Sequence, residues 1–547
     1  MEVVGTWWSV VPPLLTIILA IVTKEVLLSL FLGVFTGSLI ISNWNPLDAM
    51  NEMVTLLVGG YTDDEEFVIS GSLTDPWNVE VLIICIMLGG LIGLMVRSGG
   101  SVAFGDLLSK KISTKKGAQT TAWLIGIMIF FDDYFNALTN GSIMRPITDK
   151  YGVSREKLSY IVDSTSVGIC LIVPISSWVA FITSLIADSY RSAGIEGDPF
   201  KTFVMSIPYN YYAILSILMV IVVIAFGMDF GPMAKAEKRT RETGVVCDMT
   251  FSGGDADEDD FSSIEVKTGK ANDLLAPILI LIVLAFTFML WTGGFFGSWD
   301  FMDAINNMDG MLALVLAISL AVIYAIISYA IKRLSTIKDS LAAFVVGTKS
   351  MIYVIIILAF AWSIGGVCAE LGTDEFVGGL FTDTVPAFLV PLIIFAFSCA
   401  MTFSTGASWG TFAIMLPIAI PLAVQMDVSI LACITAVIGG GGFGNHCSPL
   451  ADTAILSSCS SNIRHTDHIK TQIPYSITCA LCAFVGYILS GLMDNFLVPL
   501  LATLGTFIVA VFILSRLFGE KRQKLDEASP DAIRTGGDGD AGDSGSV

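Results

Sequence analysis

Histidine is nearly absent, with three in 547 residues. A metal centre built on imidazole needs several, so the scarcity argues against a histidine-rich metal enzyme. Charge is also scarce: 14% of residues are Asp, Glu, Lys or Arg against 54% hydrophobic, and the mean hydropathy is +0.77. That is too apolar for a soluble globule. Lys and Arg are missing altogether between Lys24 and Arg97 and again between Lys349 and Arg464. Cys479-Ala480-Leu481-Cys482 has the spacing of a redox or metal pair but lies in an apolar run with no second pair, so it reads as packing. A net charge of −20 offers nothing to a nucleic acid.

What is present is membrane sequence. Stretches near 6–23, 25–43, 80–98, 203–228, 273–296, 309–332, 350–370, 471–493 and 495–516 are each long enough to cross about 30 Å of hydrocarbon as helix. The first run carries Trp7, Trp8 and Pro12-Pro13 without a basic leader, and more membrane sequence follows. It reads as a span rather than a cleaved leader. A multi-pass protein of the cell membrane is expected, with the lipid bilayer as its solvent. The acidic charge sits at Asp63-Asp64-Glu65-Glu66, at Asp255–Asp260 and in the Gly/Asp/Ser-rich end after Lys524. Such segments are expected to be disordered, for solubility or as an acidic regulatory tail.

The chain also repeats itself. Gly93, Gly100, Phe104 and Leu108 recur 272 residues on as Gly365, Gly372, Phe376 and Leu380. Ile143-Met144-Arg145-Pro146-Ile147 recurs as Ile414-Met415-Leu416-Pro417-Ile418. Basic residues mark cytoplasmic loops, so the 44–79 loop is expected outside and the loops carrying Arg97–Lys116 and Lys150–Lys157 inside. The 118–150 stretch then starts and ends on one side, as a re-entrant hairpin. Lys332–Lys349 and Arg516–Lys524 are inside, leaving a second hairpin at 386–424 entered from outside and a broken crossing at 428–460. An odd number of crossings in the first unit forces the second to insert upside down. The expected fold is an all-α polytopic membrane protein of two inverted-topology repeats. Each repeat has five crossings, one helix is added at the end (about 11 crossings), and there are two re-entrant hairpins and two broken helices, N-out and C-in. The expected divisions are a first repeat over 1–230, an acidic cytoplasmic linker over 231–272, the inverted repeat with the extra helix over 273–516, and an acidic tail over 517–547.

The polar residues inside this apolar sequence are the candidate site. The first hairpin carries Phe130-Phe131-Asp132-Asp133-Tyr134-Phe135-Asn136 through Ser142 at its tip. Adjacent carboxylates at membrane depth are costly unless they face a cavity or bind something, and a coupled pair can hold a proton or a cation. Arg145 follows, as counter-ion to Asp132 or Asp133, as a ligand for a substrate carboxylate, or snorkelling to the cytoplasmic face. The first broken helix supplies Asp163, Ser164 and Thr165 ahead of Pro174, whose missing N–H frees a carbonyl. Hydroxyls and free carbonyls suit a hard cation. The second hairpin offers Thr402, Ser404, Thr405 and Ser408 without an acid. Its following helix is expected to break along Gly439–Pro449, since five glycines in six residues cannot sustain an ordinary helix, and to resume at Asp452-Thr453. Asn445, His446 and Ser448 lie in that break. His446 can relay protons or make a structural hydrogen bond.

Phe131-Asp132-Asp133-Tyr134 with Asn136, and Gly444-Asn445-His446-Cys447-Ser448-Pro449-Leu450-Ala451-Asp452-Thr453, resemble the NhaC family of sodium/proton antiporters within the wider ion-transporter superfamily. With the repeat, the resemblance covers roughly residues 5–516. It implies Na+ exported against H+, with no cofactor beyond the transported ions, in a homodimer whose fixed scaffold carries a moving domain of both hairpins and both broken helices. Na+ would bind at Asp132, Asp133, Asp163 and Asp452. Relatives with the second motif often have Asp where this chain has Asn445, and some move organic acids or amino acids. A Na+- or H+-coupled transporter of a small carboxylate or amino acid, held by Arg145 or by the amides around Ser404–Ser408, is therefore the second reading. An intramembrane enzyme is disfavoured, because Ser448 beside His446 has no acid to orient it.

Overall fold

The computed structural model describes residues 4–519 except 24, 62–66, 69–70, 72, 248–263, 302–303, 305–306, 350, 374–375, 377–384 and 494. The acidic stretches Asp63–Glu66 and Asp255–Asp260, repeat residue Leu380 and most of the expected tail lie outside the described residues. The rest is helical save for a two-residue antiparallel pairing of Gly60–Tyr61 with Phe67–Val68. Within the expected 44–79 loop, Pro46–Val58 is a helix, bent 118° from Leu27–Ile41. The expected linker likewise opens as a helix, Gly231–Thr243.

Among the described residues nine helices are long and apolar enough to cross a membrane, or ten if the bent pair counts as one. Two of the nine, Ala387–Thr405 and Ser408–Gln425, are the arms of the second hairpin. Segments read as whole crossings near 6–23 and 350–370 are shorter apolar helices. The chain is a multi-pass membrane protein.

Both halves contain a hairpin followed by a broken helix. In the first half the hairpin arms are Lys115–Met128 and Asp133–Lys150, and the broken helix is Arg155–Cys170 plus Ser177–Ser192. In the second the arms are Val390–Thr405 and Ser408–Gln425, and the broken helix is Ile430–Cys447 plus Asp452–Ser461. Local chemistry sets the boundaries. Thr114, Asp132, Ser154 and Ser176 each accept an N–H of the first turn they precede, and each such cap contributes roughly 1 kcal/mol. Gly406, at φ +75°, turns the second hairpin. The first tip is thus the short link Ile129–Asp132, and Asp133 to Ser142 is already helix.

One expectation is corrected. The glycine run does not break its helix: Ile430–Cys447 is continuous through Gly439–Gly444, and the break falls at Ser448–Ala451. The glycines are there for contact. A methyl at Gly440 would lie 2.5 Å from Ser398 Cβ, and one at Gly441 would run into the Phe412 ring. Away from water, helical hydrogen bonds have no competitor, so the propensity cost is outweighed by close approach to the second hairpin. Gly444→Ala puts a methyl 2.6 Å from the Phe403 backbone nitrogen and onto Thr402. It is expected to cost about 1–3 kcal/mol, read as a lowered melting temperature in detergent. Gly505→Ala, with nothing within 4 Å, should leave the temperature unchanged.

Candidate functional site

Each hairpin tip rests on the break of the helix that follows it. In the first half, the Ser177 N–H donates to the Phe131 carbonyl at 3.0 Å and the Cys170 thiol approaches the Phe130 carbonyl at 3.2 Å. In the second, a methyl on Gly406 would sit 2.5 Å from the Leu450 carbonyl oxygen. The Ser408 hydroxyl donates to the Gly441 carbonyl at 3.1 Å.

Asp132 and Asp133 are both buried but do different things. Asp132 caps its helix through the Phe135 N–H at 2.9 Å, with the Ser177 hydroxyl at 3.4 Å. Asp133 takes the Trp178 indole N–H on Oδ1 at 2.9 Å, while its buried Oδ2 has no hydrogen-bond partner. Trp178 packs against Trp409 of the second hairpin, ring centroids 4.9 Å apart and planes tilted by 47°, which brings that hairpin to the same place. Asn136 braces the first hairpin, donating to the Gly126 and Ile129 carbonyls at 2.7 and 3.0 Å. The Tyr134 hydroxyl donates to Asp452 Oδ2 at 3.0 Å, and Asp452 is exposed in the isolated chain.

Asp163 occupies a second centre, fully buried at 0% exposure. Ser457 approaches Oδ1 at 3.4 Å, Gln472 donates to Oδ2, and His468 Nε2 is 3.6 Å from Oδ2. His446 is buried with its Nδ1 on the Tyr212 hydroxyl at 2.8 Å, its Nε2 unpartnered. Thr165 is turned back onto the Ile161 carbonyl at 2.6 Å, and Ser164 is buried beside it. Asn445 is fully engaged, donating to Ser408 at 3.1 Å and accepting from Thr453. It ties the second hairpin to both sides of the second break. Ser448 caps the Leu450 N–H at 3.2 Å. Ser404 and Thr405 point back onto the carbonyls of Ala400 and Met401.

Among the described residues Asp163 shares no hydrogen-bond partner with Asp132, Asp133 or Asp452, while Tyr134 links the first hairpin to Asp452. Among the described residues no three His, Cys, Asp or Glu side chains gather as a metal cluster. The side-chain oxygens that face Asp132 and Asp163 are the hydroxyls of Ser177 and Ser457, ligands suited to a weakly held hard cation rather than a resident transition metal. Arg145 is corrected as a counter-ion. Among the described residues it forms no ion pair, and its Nη1 reaches only the Ser460 carbonyl at 3.4 Å. Sequence reasoning missed Trp178, Tyr212, His468 and Gln472. The last two sit in the polar opening His465–Gln472 of their helix, which reads in sequence as a helix end at the membrane surface rather than as a site.

The buried charges sort by partner. Among the described residues eight Asp, Glu, Lys or Arg side chains are buried. Five have an opposite charge: Arg97 with Asp339, Glu156 with Arg239, Lys157 with Asp229, Glu237 with Lys115 and Asp273 with Lys332. Asp132, Asp133 and Asp163 have no Lys or Arg partner among the described residues.

Residues 169–492 match the model of the Na+/H+ antiporter family. The chain belongs to that family. An uncharacterized protein of Haemophilus influenzae is 35% identical over 516 residues, 93% of this antiporter-family chain and 95% of its own. The malate-2H(+)/Na(+)-lactate antiporter of Bacillus subtilis is 27% identical over 165 residues, 28% of this chain and 34% of its own. Among solved structures the YdaH transporter of Alcanivorax borkumensis shares the fold with a TM-score of 0.53 and 16% identity, over 82% of this chain and 98% of that one. The aspartates described above are thus set in a transporter fold, and Asp163 lies six residues ahead of the matched segment.

Asn445→Asp is expected to lower the half-saturating Na+ concentration and shift the pH profile of exchange, because it adds a titrating acid beside His446. Exchange rates over a sodium and pH grid check this. Unchanged half-saturation with reduced protein yield would leave Asn445 as a hydrogen-bonding strut between Ser408 and Thr453.

Proposed function

We propose that the protein is a secondary active transporter exchanging Na+ for H+ across the cell membrane by alternating access, rather than an enzyme. The observation that carries the reading is the set of three buried aspartates without a Lys or Arg partner, when every other buried Asp, Glu, Lys or Arg among the described residues has an opposite charge beside it. A buried, unpaired carboxylate is unstable as an anion. It must take either a proton or a cation, and taking one in place of the other is exchange. Asp133, with a free buried oxygen, and Asp163, beside Ser457, Gln472 and the titratable His468, are the two carboxylates on which the reading rests. Asp132, Asn136, Ser164, Thr165, Asn445, His446, Ser448, Asp452 and Thr453 shape the two centres. The proposal includes two inverted repeats, N-out and C-in, with the hairpins and broken helices as the moving part of a homodimer.

A second reading is supported by the similarity to an organic-acid antiporter. In it a small carboxylate travels with or against the cation, with the Ser404–Ser408 turn and Arg145 available to an anion. Reconstitution into liposomes with an internal pH dye separates the readings when Na+, Li+, K+ and candidate acids are added one at a time. Na+ alone should move protons. Proton movement that requires an organic acid supports the second reading.

A further inference from the structure

Gln472 lies outside both motifs, in the helix His465–Leu492, and is fully buried at 0% exposure. Its Nε2 donates to Asp163 Oδ2 on the first broken helix. It also donates to the His446 carbonyl on the second, at 2.9 Å. A primary amide nitrogen has two hydrogens, so both are committed. The reversed amide would set Oε1 against a carboxylate and a carbonyl, acceptor to acceptor, so the orientation is fixed.

The His446 carbonyl belongs to the last turn of a helix that ends at Cys447. In a continuous helix it would accept the Leu450 N–H, but that N–H is taken by the Ser448 hydroxyl. It is one of the carbonyls a helix end leaves without a partner, and Gln472 supplies the donor. Beyond the break, Ser457 reaches the other oxygen of Asp163 at 3.4 Å. Asp163 therefore holds both sides of the second break, directly through Ser457 and through Gln472 to His446. A neutral amide does this without cancelling the carboxylate charge, as Lys or Arg would.

We propose that Gln472 is a positioning residue that aims the Asp163 carboxylate at the transported cation and couples its occupancy to the end of the second broken helix. The inference rests on the exchange reading of Asp163. Its test uses the full-length protein in liposomes, comparing wild type, Gln472→Met of similar length and Gln472→Ala. A hydrogen bond to a charged group is lost in both variants, so the half-saturating Na+ concentration should rise about tenfold or more. The maximal rate should stay within about threefold of wild type. Half-saturation within twofold of wild type in folded variants overturns the inference. So does a loss of maximal rate alone, or failure of Gln472→Met to fold, since each marks a purely structural residue. Absence of Na+-driven exchange in the wild type would instead overturn the exchange reading, a separate outcome of the same assay.

Discussion

Asp133→Asn is expected to cut Na+-driven proton movement at least about 100-fold, a barrier change of about 2.7 kcal/mol, in protein that still folds. The substitution preserves shape, and the amide oxygen can still accept the Trp178 N–H that now reaches Oδ1 at 2.9 Å. What it removes is the charge on a buried group whose second oxygen has no partner. Rates in liposomes, with melting temperatures on the same preparation, check the expectation. Asp132→Asn should have the smaller effect, because Asp132 also caps the Asp133–Lys150 helix, and an asparagine caps nearly as well.

Asp163→Asn should be comparably inactive for a different reason. Its neighbours Ser457, Gln472 and His468 are neutral donors or titratable, so the amide can keep part of the network while losing the only carboxylate in that centre. Asp163→Leu leaves one hydrogen of the Gln472 amide and the Ser457 hydroxyl without their acceptor, at a cost of about 1–3 kcal/mol for each buried polar group. The pair is informative together. The asparagine variant should be stable and inactive, and the leucine variant inactive with a lower melting temperature. Exchange by Asp163→Asn within about threefold of wild type would remove Asp163 from the transport cycle.

The parts legible in the sequence were those where polarity contradicts its surroundings. Asp132-Asp133 in apolar sequence and the Ser/Thr/Pro run from Asp163 to Ser177 announced a hairpin tip and a break, and the structure places them side by side through Phe131 and Ser177. The glycine run misled because helix propensity is a weak prior: a tightly packed membrane helix tolerates glycine wherever a neighbour must come close. Gln472 was illegible for another reason. It closes the polar opening His465–Gln472 of its helix and does not stand out there, and its partner Asp163 is 309 residues away in sequence. That Asp163 has partners different from those of Asp132 and Asp133 could not be read either, since membership of one motif set says nothing about contact.

The claim that buried unpaired carboxylates hold either Na+ or H+ is tested most directly by titrating purified protein with Na+ in weakly buffered detergent, recording bound sodium and released protons together. Protons should be released as sodium binds, and the release should fall in Asp133→Asn and in Asp163→Asn. Sodium binding of wild-type strength with no proton release would contradict it.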